Sequence, residues 1–239
     1  MTLLAIDTAT NRCSAAVVVD GVVVASRSED MLRGHAEALM PMVADILAEA
    51  GLTGPAGVAG LDGIVVTVGP GAFTGVRIGL AAARAMGLAA ECPVLGLTTL
   101  EVVAADAAPG LPVLVALDSK RADAYVQLFD PGGRPLAGPA ALLPDAVPAY
   151  LMEAGLDAGD IAIAGDGGRA VAPALTAAGY VVRPADGAGL PDIAVLGRLA
   201  AARWTAVAPC LGDSPPSPLY LRPPDATPPR VRPAPRKPG

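Results

Sequence analysis

Residues 113–120 read VLVALDSK, and residues 3–10 read LLAIDTAT. Each is a short apolar run that ends on an aspartate followed by a hydroxyl residue. An apolar run without polar alternation is the mark of a strand buried on both faces. Finding the same strand and turn twice in one chain predicts an internal duplication, and a duplication sets the reading of everything around it.

Outward from the first copy, Cys13–Val19 and Val22–Ser28 read as two more strands. Asp20-Gly21 joins them, a pair that favours the type I′ hairpin turn. Ala36–Ala50 reads as a helix with Leu39, Val43 and Ile46 on one face and Gly51 as its stop. Pro41 is expected to kink that helix or to mark a break near its first turn. Leu61–Val68 is a buried strand, Val76–Ala90 a helix, Val94–Leu97 a short strand and Thr98–Ala107 a helix. Outward from the second copy, Ala124–Phe129 and the segment after Asp130-Pro131-Gly132-Gly133 form another hairpin. Ile161–Ala164 then enters the turn Gly165-Asp166-Gly167, and helices follow near Arg169–Ala178 and Asp192–Trp204.

The order strand, strand, strand, helix, strand, glycine turn, helix therefore occurs twice. We expect an α/β protein of two tandem lobes, residues 1–106 and 107–222, joined near Ala105–Pro112. Where the last helix packs is left open. Residues 223–239, PPDATPPRVRPAPRKPG, have no apolar period and are expected to form a disordered basic tail.

Composition narrows the function classes. The 239 residues are 53% apolar but only 3% aromatic, so small side chains must fill the core and helices must lie close on their sheets. A net charge of -6 argues against a nucleic-acid binder along the whole chain, although a local basic patch is compatible with it. Cys13, Cys92 and Cys210 are scattered, with no CxxC, as expected for reduced thiols in a cytoplasmic protein. Asp7 interrupts the first apolar stretch and no basic segment leads into it, unlike a signal peptide. The apolar stretch Ile78–Ala90 contains Arg84 and is too short to cross a bilayer.

Three constellations carry chemistry. Asp7-Thr8 and Asp118-Ser119 put a carboxylate and a hydroxyl at the tips of the two first strands. Facing turns of that kind hold phosphate and Mg²⁺ in two-lobed kinases and ATPases, but Asp and Thr also simply cap turns. The loop VGPGAFTG, 68–75, fits neither GxGxxG nor a P-loop. Gly69 and Gly71 admit a phosphate to the backbone there and Thr74 is placed to cap the next helix, or the loop only turns a tight corner. Gly79, Ala83 and Gly87 make a small-residue ridge at four-residue spacing, open either to internal packing or to a second protein. His35 is the single histidine, which rules out a metal site built on two imidazoles; it reads as a capping or surface residue.

The stretches LLAIDTAT (3–10), RGHAEALMPMV (33–43), VGPGAFTGVRIGLAAARAMGLA (68–89), CPVLGLTTLEVVA (92–104), VALDSKRADAYVQLF (115–129) and PLYLR (218–222) resemble the bacterial TsaB (YeaZ) family. The resemblance spans about residues 3–222, strongest over 3–104, and GPGxFTGxRIG together with the upstream RGHAE is its specific part. It implies the actin-like ATPase and sugar-kinase (ASKHA) fold, related to TsaD. It implies a non-catalytic partner that, with TsaD and TsaE, supports transfer of a threonylcarbamoyl group to N6 of adenosine 37 in tRNA. The tRNA would then be met only through the complex, and the chain would pair with itself when TsaD is absent. In TsaD-like chains an HxxxH pair opening a helix holds a catalytic metal; the matching positions here are Thr99 and Val103. No cofactor is required on this reading, and ATP, ADP or Mg²⁺ held by Asp7, Thr8, Gly69, Gly71, Thr74 and Asp118 would be a remnant. The partner interface is expected on Leu39, Val43, Ile46, Gly79, Ala83 and Gly87. The alternative is a sugar-kinase-type phosphotransferase or ATPase acting alone. A third reading, a protease, lacks support in any nucleophile–base set or metal pair.

Overall fold

The computed structural model describes residues 1–53, 55–107, 110–185, 187, 189–208 and 215–222. The expected disordered tail, 223–239, and Cys210 lie outside the described residues.

In chain order the elements are β1 (Thr2–Thr10), β2 (Arg12–Val19), β3 (Val22–Asp30), α1 (His35–Glu49), α2 (Pro55–Ala59), β4 (Gly63–Thr67), α3 (Phe73–Ala90), β5 (Val94–Leu97) and α4 (Thr99–Asp106). Then follow β6 (Val113–Asp118), β7 (Ala124–Phe129), β8 (Ala140–Leu142), α5 (Val147–Glu153), β9 (Asp160–Ala164), α6 (Gly168–Ala177), β10 (Val181–Pro184) and α7 (Ile193–Val207). The strands form two five-stranded sheets, β3-β2-β1-β4-β5 and β8-β7-β6-β9-β10. In each, a three-stranded antiparallel meander continues into two parallel strands. The duplication is thus present strand for strand, and the architecture is the two-lobed actin-like ATPase and sugar-kinase fold.

Local chemistry explains the units. Asp20 (φ 50) and Gly21 (φ 82) both sit in the left-handed region, as a type I′ turn between β2 and β3 requires. Thr98 caps α4 with a reciprocal capping box: its hydroxyl accepts from the Glu101 N–H, and the Glu101 carboxylate accepts from the Thr98 N–H at 3.0 Å. α1 runs through Pro41 as one element instead of breaking there. Pro41 and Glu37, whose carbonyl loses its usual partner, both lie on the exposed side, where the lost bond costs least.

β1 reads as a continuous apolar run because helices cover both faces of its sheet. Leu4 and Ile6 face α1 and α3, packing with Leu39, Ile46, Val76 and Leu80. Leu3 and Ala5 face the other way, onto Ile193, Leu196, Ala200 and Trp204 of α7. β6 does the same in the second sheet. Leu114 and Ala116 meet Val147, Leu151, Val171 and Leu175, while Val113, Val115 and Leu117 meet Leu100, Val103 and Ala104 of α4.

The two lobes have in effect exchanged a helix. α4 follows the first sheet in sequence but covers the second, and α7 follows the second but covers the first. The two helices touch between the sheets, where Arg203 and Glu101 pair at 2.8 Å. A cut at residues 106 and 107 therefore separates the strands of the two sheets but not their packing. No helix among the described residues is long and apolar enough to cross a membrane.

Candidate functional site

The glycine loop packs against its own chain. A Cβ on Gly71 would stand 2.1 Å from the Ala9 carbonyl oxygen, and one on Gly75 would stand 2.1 Å from that of Thr8. The Ala72 N–H donates to Ala9 at 2.7 Å, and the Thr8 hydroxyl donates to the Gly75 carbonyl at 2.7 Å. These glycines let the start of α3 rest directly on the end of β1. The second lobe repeats the device: the Gly167 N–H donates to Ala116 at 2.9 Å, and a Cβ on Gly165 would meet the same carbonyl oxygen at 2.1 Å. Thr74 does not cap the helix. Ala72 holds the N-cap position without a side-chain bond, and Thr74 lies exposed one residue inside the first turn.

The paired aspartates have different surroundings. Asp7 is 0% exposed. Its Oδ1 accepts from the Thr67 hydroxyl at 2.5 Å and the Ala9 N–H at 3.0 Å, while Oδ2 is buried with no partner. Burial pushes its carboxyl up to about 6 against the downward pull of those two bonds. Asp118 is open to solvent and pairs with Lys120 Nζ at 2.8 Å, which holds it below the usual carboxylate range. The strand ends do face one another, across a recess of about 80 Å³ lined by Ala9, Thr10, Gly71, Asp118, Lys120 and Asp166. Asp7 lies beneath it, not in it. Of the other expected phosphate contacts, Thr8 is buried, and Gly69 turns toward Leu219. Typical small-molecule pockets run to roughly 300–1,000 Å³, so the recess is far too small for a nucleoside triphosphate, and the Lys120 ammonium already supplies its positive charge.

The residues expected at a partner interface lie inside the monomer. Leu39, Val43, Ile46 and Ala83 are at most 1% exposed and belong to the core under α1 and α3. Gly79 lies against Thr8 and Val66, and Gly87 against Val94. All six face the chain's own sheet, because the helical period of apolar residues reports the face buried in the monomer. The outer faces carry Met40, Ala44 and Ala48 on α1, and Ala81, Ala85 and Leu88 on α3, all exposed. Leu88, at 83% exposure, is the sequence signal for this face: a large apolar residue off the buried stripe.

Thr99 is fully buried, with its N–H bonded to the Gly69 carbonyl, and Val103 is 3% exposed in the core between α4 and β6. His35 is buried instead of lying at the surface, and one ring nitrogen lies 3.0 Å from the Thr10 carbonyl. Among the described residues no group of three His, Cys, Asp or Glu side chains stands ready to hold a metal.

The cleft that sequence reasoning missed lies beside the small recess. It measures about 730 Å³ and is walled by the loop 70–73 and Arg77, the turn 119–121 with Tyr125, and the segment 219–222. That last segment straps the two lobes together. The Leu219 N–H bonds the Val68 carbonyl, Arg84 donates to Pro216, and Tyr220 receives the Arg77 Nε–H at 2.7 Å. Arg222 then reaches the second lobe, bonding Ser119 at 3.0 Å and pairing with Asp123. The three walls come from distant parts of the chain; the sequence marks the glycine loop, the turn after Asp118 and PLYLR separately, but nothing in it joins them into one cleft.

Residues 23–171, more than half the chain, match the family described as TsaD: tRNA N6-adenosine threonylcarbamoyltransferase. The uncharacterized protein Rv3421c of Mycobacterium tuberculosis is 37% identical over 229 residues, covering 95% of this chain and 94% of that one. The Escherichia coli tRNA threonylcarbamoyladenosine biosynthesis protein TsaB is 39% identical over 128 residues, covering 52% of this chain and 53% of its own. The solved structure of YeaZ from Pseudomonas aeruginosa is 32% identical with a TM-score of 0.72, covering 92% of this chain and 99% of that chain. The match extends over nearly the whole of both chains, and the chain belongs to the TsaB (YeaZ) family, within the wider family that includes TsaD.

Proposed function

We propose that this protein acts in the biosynthesis of N6-threonylcarbamoyladenosine in tRNA, as the non-catalytic partner of a TsaD subunit. The observation that carries this reading is the match to YeaZ over nearly the whole of both chains, alongside the shorter match to a TsaB named for this pathway. The non-catalytic role draws on Thr99 and Val103, buried where the related enzyme is expected to place its metal-binding imidazoles. The phosphotransferase alternative is disfavoured by the recess between the strand ends, which is small and already holds Lys120. On this reading no bound nucleotide or metal is required for the chain's own part, the tRNA is met through the complex, TsaE joins that complex, and the setting is the cytoplasm.

The docking face on this proposal is the outer side of α1 and α3. Ala44, Ala48, Ala81 and Ala85 keep that side shallow enough for a helix to approach closely, and Met40 and Leu88 supply apolar area. The same face serves a second copy of the chain when TsaD is absent. The test is co-purification with TsaD, followed by assay of tRNA modification with and without this chain. Ala85→Trp should abolish the complex and leave the melting temperature within a degree or two. Undiminished complex formation by Ala85→Trp removes this face from the proposal, and modification at full rate without the chain removes the function.

A further inference from the structure

The 730 Å³ cleft has a lining unlike the rest of the molecule. Arg77, Lys120, Arg121 and Arg222 border it, and among the described residues no carboxylate does, although Lys120 pairs with Asp118 and Arg222 with Asp123 outside the lining. The chain as a whole has a net charge of -6. Of the two phenylalanines and four tyrosines in the sequence, Phe73, Tyr125 and Tyr220 are here. The cations and rings are stacked on one another. The Arg77 guanidinium lies 3.6 Å over the Phe73 ring and 5.6 Å from Tyr220, and the Arg222 guanidinium lies 5.3 Å over Tyr125. Such stacks hold a guanidinium plane flat and leave its edge to face an anion.

Arg77 is the most telling member. Its Nε–H is committed to the Tyr220 hydroxyl, and among the described residues no carboxylate pairs with it. The bond to Tyr220 and the ring beneath fix the guanidinium against the mouth of the cleft, with its terminal N–H groups left for a ligand. The loop 70–73, which carries the start of the 18-residue helix α3 without a side-chain cap, forms the adjacent wall. Half-exposed rings (48% for Phe73, 45% for Tyr220) are an expensive way to finish a surface unless something flat lies against them. Fixed donors for a phosphate, planes for a base and a volume suited to one small molecule occur together.

We propose that this cleft binds a nucleoside phosphate, with the phosphate on Arg77, Lys120 and Arg222 and the base against the Phe73, Tyr220 and Tyr125 planes. It adjoins the small recess under Asp118 and shares with it the loop 70–72, Ser119, Lys120 and Tyr125, while Phe73, Arg77, Arg121 and residues 219–222 belong to the cleft alone. The ligand is either a free nucleotide or an unpaired nucleotide of an RNA strand, since both present the same phosphate and base. The site stands on the geometry of this chain alone and survives even if the TsaD partnership does not.

The experiment is a titration of the purified full-length chain with ATP, adenosine, inorganic pyrophosphate and a six-nucleotide unstructured RNA. ATP or the RNA should bind, with adenosine and pyrophosphate each at least tenfold weaker, because each carries half of the recognised chemistry. The tighter of ATP and RNA identifies the source. Arg77→Gln and, separately, Phe73→Leu should each weaken that binding about tenfold or more. Arg27→Gln, which removes a cation paired with Glu49 elsewhere on the surface, should leave it unchanged. Unchanged thermal melting of each variant keeps the comparison one of binding. Absence of binding by both ATP and RNA overturns the proposal. So does pyrophosphate binding as tightly as ATP, or binding indifferent to both cleft variants.

Discussion

Asp7→Asn replaces a buried acid with a neutral side chain of nearly the same shape. The carboxyl of Asp7 is sealed beneath the end of β1, where its Oδ2 meets no donor. Burial raises it from 3.8 to about 6, while Thr67, the Ala9 N–H and the charges of His35 and Arg12 pull it down. A group whose folded value lies above its unfolded one stabilises the fold while protonated and loses that contribution as pH rises through the folded value. A shift of about two units at 1.36 kcal/mol each corresponds to about 3 kcal/mol, present below pH 4 and gone by pH 7. In a chain of this size that is about 6–12 °C in melting temperature. The asparagine variant has no such titration. Urea unfolding followed by the single tryptophan, at half-unit steps from pH 4 to pH 7.5, gives both stability curves. The wild type should lose about 3 kcal/mol relative to Asp7→Asn across that window. Parallel curves would refute the reasoning, showing that the carboxyl is ionised throughout or reached by water.

Gly71→Ala drives a methyl group into the Ala9 carbonyl oxygen 2.1 Å away and should cost about 1–3 kcal/mol by denaturant unfolding. Trp204→Ala empties the contact between α7 and the first sheet, where the indole lies on Gly63; the expected loss is about 3–5 kcal/mol, read by circular dichroism since the fluorophore goes with it. Thr98→Ala removes one half of the capping box on α4 and should cost about 1 kcal/mol in the same measurement.

The sequence was most informative where local chemistry decides. The restart at residue 113, the Asp20-Gly21 turn and the helix after the glycine loop are set by neighbours in the chain, and they appear in the fold within a few residues of expectation. The small strand β10 left no such signal. Its four residues, VVRP, lie mostly exposed at a sheet edge and show no alternation. The exchange of α4 and α7 was hidden for another reason: each is apolar on the side it buries, and nothing in that pattern says which sheet it will meet. The expected interface residues meet the same ambiguity. Periodicity in α1 and α3 pointed to Leu39, Val43 and Ala83, which satisfy the monomer's own core, while the exposed alanines beside them carry no pattern. The cleft is the extreme case. The turn after Asp118 and the start of α3 with Arg77 stand out singly in the sequence, but they form one cleft only when the strap with Arg222 brings them together.

The reach of α7 back to the first sheet also governs the order in which the molecule can be made. Leu3, Ala5, Val18 and Val65 leave the ribosome well before their covering residues, Ile193 to Trp204, are made. One side of the first sheet must therefore wait, bare and apolar, until α7 has been made. Termination between residues 98 and 192 would leave a nascent chain with a complete set of strands in that sheet and a surface suited to chaperones and proteases instead of to its partners.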